Sequence, residues 1–547
     1  MPVVHADAGK LMNPEKLENI PSLLSSYYTE FPDPHDPAQK VAFGTSGHRG
    51  TPYSQTFNED HIFAITQAVC DYRNMKGIDG PLYMGGDTHA LSEAAFRSAL
   101  QVLAANGVNV RIAKGGDYVA TPAVSHAILR HNAAGGKPAD GIIITPSHNP
   151  PRDGGFKYNP PSGGPADTDV TAWIESQANG YLLDGNNDVR AISYPEARAS
   201  KLVEEFDFTG LYVGDLDLVL DMKAIAESGL RLGVDPLGGA SLPLWEPIAK
   251  KYGINLEVVN RQVDPTFRFV PCDRDGKIRM DCSSPYAMNN LLAMRDKFDL
   301  AFACDPDSDR HGIVTHDGLM NPNHYLCVAA WHLFNSRKNW KKESGIGKTL
   351  VTTSLLNRIG KGIGREVVET PVGFKWFVPY LQNGRCAMGC EESAGASFLC
   401  KDGSPWSTDK DGPLMCLLAA EIMAVHKKSP SEIYKSLEAQ YGAPVYQRLD
   451  APADDKTRKI LKALAPDDVK MKTLAGETVT AVETRAPGND EPIGGVKVVC
   501  EDGWFAVRPS GTEAICKVYT ESFKGEQFLT AIQKDAIDFL DALLKKE

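Results

Sequence analysis

Long apolar runs are missing from this chain. No stretch of 18 or more apolar residues occurs, so no transmembrane helix is expected. The opening Met1-Pro2-Val3-Val4-His5-Ala6-Asp7 lacks the basic region and apolar core of a signal peptide, and the protein is read as cytoplasmic, with no membrane partner. An excess of positive charge is missing too. Lys and Arg total 58 against 70 Asp and Glu, a formal net charge of −12. That balance excludes the basic footprint of a nucleic-acid binder, so any phosphate must be held by a few local cations. Regular cysteine spacing is also absent. The eleven Cys residues are odd in number and scattered, which excludes a disulfide scaffold. The closest pair, Cys386 and Cys390, has no His at metal-site spacing, and free buried thiols are expected. No Gly-x-Gly-x-x-Gly follows a strand-like run, so the dinucleotide fingerprint is missing.

What is present describes a large globular chain. A length of 547 residues suggests three to four domains at about 150 residues each, and exceeds a single core, which stops growing near 250–300. With 42% hydrophobic and 23% charged residues, wholesale disorder is excluded. Forty-nine Gly and 36 Pro make about 16% of the chain against an average near 12%, which means many turns, plain or specialised.

Short apolar runs break abruptly into turn residues. Gly141–Ile144 runs into Thr145-Pro146-Ser147-His148-Asn149-Pro150, Leu232–Val234 into Asp235-Pro236-Leu237-Gly238-Gly239, and Leu300–Cys304 into Asp305-Pro306-Asp307. These read as buried strands. Helical patterns at Phe96–Asn106, Leu242–Tyr252 and Pro413–His426 alternate with them, which predicts α/β architecture with mainly parallel sheets. Ligands then sit beyond the carboxyl ends of strands, where these loops lie. The last hundred residues differ. Val479–Thr484 and Gly495–Cys500 alternate as exposed strands do, Pro487–Asp490 suits a connecting loop, and an amphipathic helix over Phe528–Leu544 closes a smaller α+β domain. The first forty residues read as an N-terminal arm.

Five loops carry chemistry. Pro at 146, 150 and 151 forbids a helix around Ser147 and holds it on a rigid turn, where a nucleophile can be exposed, or where a plain solvent turn can form. In Asp305-Pro306-Asp307-Ser308-Asp309-Arg310, carboxylates at alternate positions can converge on one hard cation. An EF-hand is excluded by Arg310 at the sixth position and His316 at the twelfth, and Mg²⁺ with open positions for phosphate oxygens fits better than a solvated acidic turn. Arg508-Pro509-Ser510-Gly511-Thr512-Glu513 follows the strand-like Trp504–Val507. Backbone N–H groups around its Gly, two hydroxyls and a guanidinium suit a phosphate. Cys390-Glu391-Glu392-Ser393-Ala394-Gly395 offers carboxylate and hydroxyl groups for sugar hydroxyls, or is a polar loop. Gly44–Gly50 is a small-residue loop with Arg49 and lacks the Gly-Lys-Ser/Thr ending of a Walker sequence.

In this order, the motifs TPSHNP, DPDSDR, CEESAG and RPSGTE resemble those of the α-D-phosphohexomutase superfamily, glucose type, from about Gly44 to Tyr519. The resemblance implies three α/β mixed-sheet domains of related fold plus a C-terminal α+β domain, similar to the TATA-box-binding protein, around one central cleft. The expected divisions are 1–209 with the serine loop, 210–323 with the metal loop, 324–442 with the sugar loop and 443–547 with the phosphate loop. It implies reversible interconversion of α-D-glucose 1-phosphate and glucose 6-phosphate. Ser147 would be a phosphoserine, and glucose 1,6-bisphosphate the intermediate and activator. One Mg²⁺ per chain would be held by Asp305, Asp307, Asp309 and a phosphoserine oxygen on Ser147. Arg49, His148, Lys157 and Arg310 would be catalytic, with Lys157 or His148 moving the proton. Glu391, Ser393 and Lys410 would contact the sugar, and Arg508, Ser510, Gly511 and Thr512 the distal phosphate. Sugar phosphates would be the partners of a monomer or homodimer, with the last domain closing as a lid.

Sister mutases for mannose, glucosamine or pentose phosphates are the nearest alternative. A serine-dependent phosphatase is a further one, though it needs neither a sugar loop nor a distal phosphate loop. A non-catalytic relative would more readily have lost Ser147 or an aspartate. The chain departs from the family twice. Cys390 stands where Gly is usual, which implies strain if that position needs positive φ. His89 stands where many relatives have Arg.

Overall fold

The computed structural model describes residues 4–44, 47–509 and 515–544. Four sheets of four or more strands, counted among the described residues, follow one another along the chain. The first has the order His48–Gly50, Gly154–Asn159, Asp140–Ile144, Leu82–Gly86, Val110–Ala113, Val203–Phe206. Five of its strands run the same way; only Gly154–Asn159 is reversed, antiparallel to both of its neighbours. The second has the order Gly318–Leu319, His311–Thr315, Leu300–Cys304, Leu232–Asp235, Leu256–Val258, and the third Val367–Thr370, Gly345–Thr349, Cys386–Glu391, Gly395–Phe398.

The apolar runs are continuous because both faces of each strand are covered. In the first sheet, Leu82, Met84, Ile142 and Ile144 pack with the helices Glu59–Lys76, Ala90–Ala105 and Thr168–Leu183. The alternate residues Tyr83 and Ile143 face the helix Thr121–Ala133, through Val124, Ala127 and Ile128. That second core continues without a break into the second and third sheets, through Tyr212, Trp245, Phe302, Ile346, Phe377 and Met388.

One feature recurs in all three sheets. A buried strand parallel to its neighbour turns back antiparallel on the strand's other side: Asp140–Ile144 into Gly154–Asn159, Leu300–Cys304 into His311–Thr315, and Cys386–Glu391 into Gly395–Phe398. The serine, metal and sugar loops are these three reversals. Each holds one non-glycine residue in the left-handed region, at Ser147 (φ 62°), Ser308 (φ 64°) and Ala394 (φ 68°).

The fourth sheet is wholly antiparallel, in the order Val445–Pro452, Ile515–Ser522, Gly503–Pro509, Pro492–Cys500, Ala481–Arg485. The helices Asp455–Ala463 and Gly525–Leu544 cover one face. Trp504, Ala506 and Tyr519 on the other pack against Leu350 and Val351 beside the third sheet. The exposed strand expected over Gly495–Cys500 is instead largely buried. Lys497 is the reason for its polar alternation: its Nζ lies 2.9 Å from Glu369 Oε2 of the third sheet, and Lys348 Nζ lies 3.4 Å from the other oxygen. Glu521 makes a second tie, accepting from Ser354 N (2.8 Å), Trp504 Nε1 (2.7 Å) and Thr353 Oγ1.

The first forty residues carry the helix Ile20–Thr29 and no strand among those described. No helix among the described residues is long and apolar enough to cross a membrane. All eleven cysteines are buried and free, as their spacing implied.

Candidate active site

The three reversals meet. Ser147 Oγ donates to Asp305 Oδ2 at 2.9 Å, joining the first sheet to the second. The carboxylates of Asp305, Asp307 and Asp309 are buried, with ligand atoms within 4.8 Å of one another. Lys157 reaches them from the antiparallel strand after the serine loop, with Nζ 2.6 Å from Asp307 Oδ2 and 3.2 Å from Asp309 Oδ2. Lys410 joins from the third sheet's side, with Nζ 3.1 Å from Asp309 Oδ2 and 4.0 Å from Glu391 Oε2. Glu391 is fixed from its other oxygen by the Gly373 N–H at 3.0 Å. Carboxylates and ammoniums thus alternate through the centre, which is how buried charge is tolerated.

The loops are held by close backbone approaches. The Gly412 N–H donates to Ser308 O at 2.9 Å, and a Cβ on Gly412 would fall 2.2 Å from Arg310 O. Thr121, at the head of its helix, donates from its backbone to Asp307 O at 2.9 Å and from Oγ1 to Asp307 Oδ2 at 2.8 Å. The Arg310 N–H caps Asp305 Oδ1 at 3.0 Å, and its Nε lies 3.8 Å from Asp309 Oδ1.

The site could hold a hard divalent cation. Asp307 Oδ1 and Asp309 Oδ1 are buried without a hydrogen-bond partner, so two acceptors remain for a metal. Octahedral Mg²⁺ has oxygens at about 2.1 Å, hence about 3–4 Å apart, so a small contraction of the aspartates suffices. The electrostatics agree. Burial, then the neighbouring Asp307 and Asp309, pushes the Asp305 carboxyl well up. Burial also works upward on Asp309, but Lys410, Lys157 and Arg310 outweigh it and hold it low. Burial pulls Lys157 down, yet Asp307 and Asp309 overcome it, so Lys157 is an ammonium. His148 Nδ1 lies 3.4 Å from Ser147 Oγ; burial and then the positive charge of Arg310 hold it well below the usual imidazole range, so it is neutral.

The remaining expected residues fall around this centre. Arg49 lies on the strand paired with Gly154–Asn159 and places Nη1 3.5 Å from Asn149 Oδ1. Ser393 is half-buried in the sugar loop. Glu392, between the two expected sugar residues, accepts from Thr349 Oγ1 at 3.1 Å. Arg508 ends its strand half-buried, with Nε donating to Ile493 O at 3.1 Å. Ser510, Gly511 and Thr512 lie outside the described residues. Cys390 is not strained: it sits in a regular strand, its thiol facing Gly347 O at 3.3 Å, and Ala394 takes the positive φ instead. Sequence reasoning missed Thr121 and the pair Asp87–His89. Only the Thr-Pro step that ends Thr121's preceding run was a signal for the first.

Comparison with known proteins gives a consistent pattern. Residues 40–183, 211–318 and 321–441 match the alpha/beta/alpha domains I, II and III of the phosphoglucomutase/phosphomannomutase family, and 455–538 its C-terminal domain. A phosphoglucomutase of Komagataeibacter xylinus is 54% identical over 548 residues, covering 100% of this chain and 99% of that one. Phosphoglucomutase 1 of Drosophila melanogaster is 27% identical, covering 89% and 91%. Among solved structures, the open form of the Paramecium phosphoglucomutase pp63/parafusin shares the fold, with a TM-score of 0.74 at 22% identity and coverage of 93% and 95%.

Proposed function

The chain belongs to the phosphoglucomutase/phosphomannomutase family and is a phosphohexomutase, an enzyme of the isomerase class, and from that premise we propose that it interconverts α-D-glucose 1-phosphate and glucose 6-phosphate through a phosphoserine on Ser147. The observation that carries this is Ser147 Oγ at 2.9 Å from Asp305 within the aspartate, lysine and arginine cluster. The glucose preference is supported by the 54% identity to a phosphoglucomutase along the full chain.

In this reading phospho-Ser147 gives its phosphoryl group to the free sugar hydroxyl, glucose 1,6-bisphosphate forms and reorients, and the other phosphate returns to Ser147. A serine ester divides one hard transfer into two. Asp305, Asp307 and Asp309 would hold one Mg²⁺, which when bound supplies Lewis-acid charge stabilisation. Arg310, Arg49 and Lys157 place positive charge around the transferring group, which is most of what phosphoryl transfer needs. Neutral His148 can accept the sugar hydroxyl proton and ammonium Lys157 can give one. Glu391, Ser393 and Lys410 orient the sugar. Arg508 with Ser510, Gly511 and Thr512 grips the distal phosphate, so remote binding energy serves alignment.

The divisions 1–209, 210–323, 324–442 and 443–547, cytoplasmic operation, action as a monomer or homodimer and lid closure by the last domain belong to the same proposal. Solution scattering with and without sugar phosphate tests the lid: unchanged compactness refutes it. A coupled assay with glucose, mannose, glucosamine and pentose 1-phosphates plus glucose 1,6-bisphosphate tests the reaction. The expected result is the highest kcat/KM for glucose 1-phosphate; a higher value for another sugar reassigns the substrate.

A further inference from the structure

Behind the serine loop lies a buried hydrogen-bond network in which every proton has only one place to be. His89 Nδ1 is 2.8 Å from Asp87 Oδ2, and His89 Nε2 is 3.0 Å from Asn149 O. A carboxylate and a carbonyl only accept, so both ring nitrogens must donate, and the ring is an imidazolium. Asp87 is saturated. Its Oδ1 accepts the His89 N–H at 3.0 Å and Ser92 Oγ at 2.5 Å, and its Oδ2 also accepts Thr145 Oγ1 at 2.6 Å. Because the Thr145 hydroxyl proton is committed to Asp87, its oxygen is free to accept, and the Ser147 N–H donates to it at 2.8 Å.

The network therefore grips the serine loop on both sides of Ser147. Thr145 is held through Asp87, and Asn149 through His89. Between them the Ser147 backbone sits at φ 62°, a region that costs a non-glycine residue on the order of 1 kcal/mol or more unless its surroundings impose it. Asp87, His89 and Thr145 are all buried, and the His89 ring packs on Phe267 of the second unit at 4.9 Å between centroids.

We propose that His89 is a positioning residue for phosphoryl transfer at Ser147: as a buried imidazolium it ties both flanks of the serine loop to Asp87 and so imposes the backbone conformation that aims Oγ at Asp305. The inference rests on the reading of Ser147 as phosphoryl carrier. The charged groups facing the ring are Asp87 from its own loop and Asp153 from the serine loop, whose charge is in turn offset by Arg279 and Arg152. From the second unit, Phe267 packs on the ring and Arg279 acts on Asp153 beside it. Burial alone would lower the imidazole's affinity for its proton; Asp87, first, and the Asn149 carbonyl reverse that and raise it. The contact is present at low pH and is lost as pH rises through the raised value. Loss removes one of two donors, since a neutral ring cannot serve both acceptors.

The test uses the full-length protein in two arms. Nitrogen-15 histidine spectra near neutral pH, with His89 assigned against His89→Gln, should show two protonated ring nitrogens; a neutral tautomer overturns the proposal. In the kinetic arm, His89→Gln should lower kcat by at least about tenfold with KM nearly unchanged. His89→Arg, whose guanidinium donates to both acceptors at every working pH, should recover most of that loss and abolish the alkaline decline of kcat. Unchanged kcat in His89→Gln, or equal damage to kcat and KM in both variants, overturns it. Phosphoryl uptake by the wild-type enzyme from glucose 1,6-bisphosphate reads the premise separately. Absence of uptake overturns the assignment of Ser147 and this inference with it, whereas uptake by His89→Gln at the wild-type rate overturns the inference alone. If His89→Gln fails to fold, the wild-type spectrum, with His89 assigned against His89→Arg instead, and the pH profile of His89→Arg still decide.

Discussion

Ser147 Oγ and Asp305 Oδ2 lie 2.9 Å apart although 158 positions separate them in the chain. The contact joins the reversal of the first sheet to that of the second, so the nucleophile and the cation site are assembled only when the two sheets dock. Replacing Ser147 by Ala removes the group that carries phosphate and leaves the backbone free to keep its turn. Turnover should fall by about 10⁴-fold or more with the melting temperature nearly unchanged. A coupled mutase assay beside thermal denaturation checks this, and full residual turnover would refute the role of Ser147.

Chelation of divalent cations should abolish activity, and Mg²⁺ should restore it. Asp309→Asn keeps the shape but removes one of the two carboxylates of this cluster with an unpartnered buried oxygen. It also leaves Lys157 and Lys410 with less negative charge between them. The Mg²⁺ needed for half-maximal rate should rise by at least about tenfold. Titration of the rate with Mg²⁺ in both proteins measures it; identical curves would remove Asp309 from the metal site.

Arg508 stands at the end of its strand, next to the loop proposed to take the distal phosphate. Loss of a charge-assisted contact costs about 1.5–3 kcal/mol, so Arg508→Ala should raise KM for the sugar phosphate about tenfold or more. Steady-state kinetics decide, and an unchanged KM and kcat would place Arg508 outside the site.

Glu369 lies half-buried between the buried Lys348 and Lys497 and joins the third sheet to the fourth. Burial raises its carboxyl, but Lys348 and then Lys497 outweigh this and hold it near 2, below its usual 4.5. A depressed carboxylate contributes stability that is full above 4.5 and is lost as pH falls towards 2. That loss amounts to about 3 kcal/mol over the interval. Glu369→Gln should flatten the acid side of the stability curve and lower stability near neutrality by about 3–5 kcal/mol, because both ammoniums lose their partner. Denaturant melts across pH test both, and an acid limb unchanged in the variant would disprove the assignment.

Gly412 has no room for a side chain, with its Cβ position 2.2 Å from Arg310 O. Gly412→Ala must displace the metal loop from the helix that supports it. A stability loss of about 1–3 kcal/mol is expected, together with a weaker response of the melting temperature to Mg²⁺. Melts with and without Mg²⁺ would show it, and a wild-type response would mean the loop does not depend on that approach.

Much of this arrangement was legible in the chain. The apolar runs at Gly141–Ile144 and Leu300–Cys304 ended where their strands end, because a strand buried on both faces must be apolar throughout and must leave the sheet through turn residues. The helix over Leu242–Tyr252 was legible to the residue, its apolar spacing closing at Gly253 in a left-handed cap. The strand over Gly495–Cys500 was misread as exposed. Lys497 is polar by composition, yet it is buried against a carboxylate 128 positions away, which periodicity does not record. The condition under which Cys390 would be strained is not met, since the positive φ of that loop falls on Ala394.

By itself the sequence determined the main element types, the points where three buried strands end and the chemical character of the loops there, because hydrophobic period, proline and glycine act over a few residues. Tertiary structure alone decided which loops meet. The alternation of Glu391, Lys410, Asp309, Lys157 and Asp307, the cap of Thr121 on Asp307 and the grip of His89 on Asn149 all join chain segments tens to hundreds of residues apart. Such pairs form because buried charges and donors must find partners in the space that packing leaves them, and that space exists only once the sheets have docked.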